Sequence, residues 1–76
     1  MEKEKIDRIN ELAKKKELTE EEKKVAQALQ RNPDGMQINI LVVETDIPIN
    51  RMSALLFELE MKGVVRALAG GVYRLL

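Results

Sequence analysis

The sequence predicts a mainly α-helical fold that closes on a small β-hairpin. Three observations carry this reading. Leu18-Thr19-Glu20-Glu21-Glu22 has the form of a helix start. Met52, Leu55, Leu56 and Leu59 recur at the spacing of one helix face. Ala69-Gly70-Gly71 separates two short runs rich in branched aliphatics, as a tight hairpin connection does.

The elements follow in order. Residues 3–16 read as a helix with one narrow apolar stripe, Ile6, Ile9, Leu12 and Ala13, which must lean on another element to persist in water. Thr19 is the expected cap of a second helix, Glu22 closes a capping box, and Leu18 acts as the hydrophobic staple. That helix runs through Val25, Ala28 and Leu29 to about Arg31, where Asn32-Pro33-Asp34-Gly35 turns the chain. Met36-Gln37-Ile38 is extended. Asn39 is expected to cap a brief helix, Ile40 to Thr45, with Leu41 and Val42 inward. Asp46-Ile47-Pro48-Ile49 breaks it, and Asn50 is expected to cap the next helix, which reaches Lys62 and stops at Gly63. Val64 to Leu68 and Val72 to Leu75 are the hairpin strands, with a positive φ expected at Gly70, Gly71 or both. Short strand, helix, turn, helix, hairpin is the winged helix-turn-helix order. The reading is therefore a single domain over 1–76, with a helical hairpin at 1–31 folded against a winged-helix unit at 36–76.

Composition narrows the function. With neither Cys nor His, the chain lacks thiolate and imidazole chemistry. No Ser stands beside an evident base and no Gly-rich loop joins strand to helix, so no catalytic residue, metal site or cofactor is expected. The acidic triplet Glu20-Glu21-Glu22 reads as helix-dipole compensation rather than a metal site. The 13 basic and 13 acidic residues cancel, and each half of the chain is balanced too. A nucleic-acid domain usually carries a basic excess, because phosphate contacts release counterions. No apolar run approaches a membrane span and the amino terminus lacks a signal-peptide core, so a cytoplasmic protein is expected, with no membrane and no small-molecule substrate.

Ile38-Asn39, Leu41, Thr45 and Ile47-Pro48-Ile49 carry a resemblance, together with the run from Leu55 to Val65 (Leu-Leu-Phe-Glu-Leu-Glu-Met-Lys-Gly-Val-Val) and Gly70-Gly71-Val72-Tyr73-Arg74. Over residues 18–76 the chain resembles the carboxy-terminal winged-helix domain of the DprA/Smf DNA-processing family. The resemblance implies a bacterial protein of DNA uptake, in a family that hands single-stranded DNA to the RecA recombinase. In that family single-strand binding and self-association are attributed mainly to a Rossmann-like domain, and the terminal winged helix is considered for duplex binding or protein contact. Residues 1–24 are weakly similar to the YnzC-like helical hairpins, in which Ile9-Asn10-Glu11-Leu12-Ala13 and the Leu18 helix start have counterparts. A chain joined from two sources, with no function of its own, is therefore a further reading.

Two sets of surface residues remain. Ala54, Phe57 and Met61 would face outward on the helix beginning near Asn50 and offer an apolar contact for a protein partner or a second copy. The competing reading of Phe57 is core, tucked against the amino-terminal hairpin. Arg51, Ser53, Lys62, Arg66 and Arg74 are the candidates for weak duplex-DNA contact, opposed by Glu58 and Glu60 nearby. Protein contact or self-association is the first expectation, and weak DNA binding the alternative.

Overall fold

A computed structural model describes Ile9 and residues 18–76 of the chain. Among these are helices α1 (Glu20–Gln30), α2 (Ile38–Thr45) and α3 (Ile49–Met61), with strands β1 (Met36–Gln37), β2 (Val65–Leu68) and β3 (Val72–Leu75). The strands form one antiparallel sheet in the order β1-β3-β2. This is the winged-helix architecture that the sequence predicts. Ile9 is helical and buried in the core with Val25 and Leu29; the rest of the expected first helix lies outside the described residues.

Local chemistry sets the helix ends. Thr19 caps α1 through a complete capping box: Glu22 N donates to Thr19 Oγ1 at 3.1 Å, and Thr19 N donates to Glu22 Oε1 at 2.9 Å. Leu18 is buried in the core, but the fourth helical residue is Lys23, which offers no apolar partner for a staple. Asn32 Nδ2 donates to Ala28 O at 2.9 Å and satisfies one orphan carbonyl at the end of α1. Two expected caps are corrected. α2 begins at Ile38, not Ile40, so Asn39 lies inside it, and the cap position is Gln37 with no side-chain bond. The reason is tertiary: Ile38 N donates to Gly71 O at 3.0 Å, so the hairpin supplies an acceptor for the helix start. α3 begins at Ile49 with Pro48 at its cap, which puts Asn50 one residue inside the helix. Pro48 holds φ at −58°, and its carbonyl accepts from Met52 N at 2.8 Å.

Asp46 ends α2 in the left-handed region, φ 58°, where Asp is among the better-tolerated non-glycine residues. α3 ends in a Schellman motif. Val64 N donates to Leu59 O and Gly63 N to Glu60 O, with Gly63 at φ 75° and the side chains of Leu59 and Val64 both buried.

The core is aliphatic. Leu29, Leu41, Met52, Leu56, Leu59, Val25 and Val65 are fully buried, and Leu55, Val42 and Tyr73 pack against them in part. Thr45, buried among them, donates from Oγ1 to Leu41 O at 2.6 Å and so stays satisfied. In the sheet Val65 pairs with Leu75, Arg66 with Arg74, and Leu68 with Val72, leaving Ala69-Gly70-Gly71 as the hairpin loop. Met36 pairs with Tyr73 and Gln37 with Val72, so β3 is central. Both hairpin glycines have positive φ, 78° and 72°.

Gly35 is the tightest backbone position. Its φ is 102°, and an added Cβ would stand 2.9 Å from both Tyr73 O and Val72 Cγ1. Gly70 also has positive φ, but a Cβ there meets nothing within 4 Å. Gly70→Ala is expected to cost about 1–2 kcal/mol for the left-handed backbone alone, and Gly35→Ala at least about 1 kcal/mol more, since β1 must shift from β3. Urea denaturation of the two variants checks the order. Equal losses would contradict it.

Candidate functional site

α3 has three differently engaged sides, and helical spacing determines which residue lies on each. Met52, Leu56 and Leu59 point into the core. Arg51, Leu55, Glu58 and Lys62 lie along one flank, at intervals of three, four and seven. Asn50, Ser53, Ala54, Phe57 and Met61 form the outward side, and all five are exposed. Phe57 is 64% exposed and Met61 73%, so Phe57 is a surface residue and not part of the core.

The flank turns toward the amino-terminal end of α1. Lys62 Nζ donates to Glu22 Oε1 at 2.8 Å and to Oε2 at 3.0 Å. Glu22 is only 1% exposed, and the same carboxylate holds the Thr19 N–H. A buried carboxylate is costly unless charge and hydrogen bonds compensate it. Here Lys62, the backbone of Thr19 and the positive end of the α1 dipole all do so. No buried side-chain nitrogen or oxygen among the described residues lacks a partner. One helical position earlier, Glu21 is ion-paired with Arg51 in a more exposed contact. Thr19, Glu21 and Glu22 on one side and Arg51, Ala54, Leu55 and Glu58 on the other line a shallow groove between the two helices.

The two cations on α3 are therefore both occupied by acids from α1. The other basic candidates sit elsewhere. Arg66 and Arg74 are directly opposite one another on β2 and β3, both exposed. The backbone bond from Leu76 N to Val64 O fixes the alternation, so Arg66 and Arg74 form a hydrogen-bonded pair of positions with Cα atoms about 5.5 Å apart. Like charges at such positions repel by roughly 0.2–1 kcal/mol. Ser53 stays with the outward side of α3. The fold thus separates the five DNA-contact candidates into an ion-paired flank, a lone hydroxyl and an arginine pair on the wing.

Sequence reasoning reads Glu21 and Glu22 as cap and dipole residues and misses their partners. The pairs span 30 and 40 positions, beyond any local signal. The arginine pair has a signal, because a three-residue loop at Ala69-Gly70-Gly71 fixes the register that aligns it. No group of three His, Cys, Asp or Glu side chains among the described residues is arranged to hold a metal ion. None of the described helices is long and apolar enough to cross a membrane.

A family model described as the DprA winged helix domain matches residues 11–71. The match begins seven residues before the stretch on which the sequence resemblance rests. No curated protein and no solved structure matches the chain.

Double-mutant cycles separate the two ion pairs. For Glu22–Lys62, with Glu22→Gln and Lys62→Met, the expected coupling is on the order of 1–3 kcal/mol. For the exposed Glu21–Arg51 pair it is below about 1 kcal/mol. Thermal denaturation at low and high salt measures both, and a larger coupling for the exposed pair would contradict the assignment.

Proposed function

We propose a function from one premise: the chain belongs to the DprA winged helix domain family. It is a non-catalytic module of a DNA-processing protein, and it acts through protein contact on the outward side of α3. One observation carries this reading. The side of the helix-turn-helix that a DNA reader would press into a groove presents Ala54, Phe57 and Met61 beside Asn50 and Ser53, and no cation. Duplex readers add Arg or Lys to such polar groups, to reach base edges and phosphates. Arg51 and Lys62, the two cations of this segment, are turned to Glu21 and Glu22. Phe and Met, by contrast, are favoured at the centres of protein interfaces.

A second reading rests on the wing. The exposed Arg66–Arg74 pair holds two guanidinium groups at neighbouring positions, a suitable arrangement for a phosphodiester. This reading is duplex-DNA contact of low affinity, since two arginines amount to few phosphate contacts and the net charge is zero.

A salt titration of duplex affinity distinguishes the two. Protein contact predicts binding no tighter than roughly micromolar at physiological salt, with the same affinity and slope in the wild type and in Arg66→Ala/Arg74→Ala. A wild-type slope of about 2 or more that falls by about 2 in that variant would replace protein contact with DNA reading.

A further inference from the structure

We propose that Glu21 masks Arg51 from nucleic acid. From α1 it holds the guanidinium that a duplex-DNA phosphate would otherwise take, so that part of the duplex affinity of this domain is latent. The mask goes beyond protein contact on the outward side of α3 and is independent of what covers that side.

The two ion pairs between α1 and α3 differ in burial, and the difference selects one of them. The side chains of Lys62 and Glu22 are 35% and 1% exposed, those of Arg51 and Glu21 61% and 34%. Releasing Lys62 would strip the buried Glu22 carboxylate of its cation, at a heavy cost. Releasing Arg51 leaves Glu21 where water can solvate it. Pairs as exposed as this contribute little, so Arg51 can exchange acceptors for no more than about fivefold in an equilibrium constant. A carboxylate and a phosphodiester both take a guanidinium through paired N–H bonds, and so compete for the same group.

Position makes Arg51 the cation for which this exchange matters. It follows Asn50 in the first turn of α3, about 60° around the helix axis from Ala54. Its long side chain can span that arc, and the guanidinium then joins Asn50 and Ser53, the polar groups of the outward side. Helix-turn-helix proteins set the first residues of their second helix against base edges. The groove in which Arg51 now lies is lined by Glu21, Glu22 and Glu58, which repel a phosphate from it. Arg51 therefore serves either Glu21 or a phosphate.

A double-mutant cycle on duplex affinity tests the mask, with Glu21→Ala, Arg51→Ala and their combination each titrated with salt. In the wild type, Arg51→Ala should change affinity less than about twofold and leave the slope unaltered. Glu21→Ala should bind about fivefold more tightly. In that background Arg51→Ala should remove the gain and lower the slope by about 1. Glu20→Ala controls for net charge, since Glu20 is exposed and has no ion-pair partner among the described residues; it should gain less than about twofold. An equal effect of Arg51→Ala in both backgrounds, or equal gains in Glu20→Ala and Glu21→Ala, would overturn the mask. Protein contact is tested by Arg66→Ala/Arg74→Ala instead, so the two failures fall on different variants.

Discussion

The arrangement depends on one buried carboxylate. Glu22 closes the capping box of α1, lies almost wholly out of solvent, and holds Lys62 at the far end of α3. It is the point where a local signal and a tertiary one coincide. Glu at the third helical position is favoured for its backbone bond alone. Burial turns that preference into a constraint, because an unpaired charge there would cost several kcal/mol. Lys62 must therefore come to it, and with Lys62 comes the carboxy-terminal end of α3. The Schellman motif at Gly63 then leads the chain into the hairpin.

What α3 can do follows from this attachment. The core occupies one side and α1 a second, and the cations of the second side are consumed there. The outward side is left without a cation, with Phe57 and Met61 in water beside Asn50 and Ser53. Two exposed apolar residues near each other are ordinary on a protein surface. Here they occupy the side of a helix-turn-helix that ordinarily carries polar and basic groups. The wing keeps its own basic pair, Arg66 and Arg74, on a different element. The outward side of α3 and the basic pair of the wing are thus physically separate and can be altered independently.

Much of the fold was legible because its signals are local. The Thr19–Glu22 box, the Asn32–Gly35 turn, the α3 stripe and the hairpin glycines each act within a few residues, and each sits where the sequence puts it. Asn39 and Asn50 misled for a specific reason. Asn is a good cap, but Gly71 O meets Ile38 N–H from the hairpin, and Pro48 starts α3 through its fixed φ. Tertiary acceptors and proline geometry moved both starts upstream. For the candidate site, outward exposure was legible but arrangement was not. Helical spacing placed Phe57 and Met61 outward. Nothing in the neighbourhood of Arg51 or Lys62 shows that acids 30 and 40 positions away would claim them.

The central claim is that Glu22 makes α1 and α3 a single cooperative unit. Native-state hydrogen exchange tests it most directly, since amides of one unit open with one free energy. In the wild type the core amides of Val25, Ala28 and Leu29 should open with the same free energy as those of Leu56 and Leu59. In Lys62→Met the α1 group should fall below the α3 group. A wild type in which α1 already opens well below α3 would contradict the account.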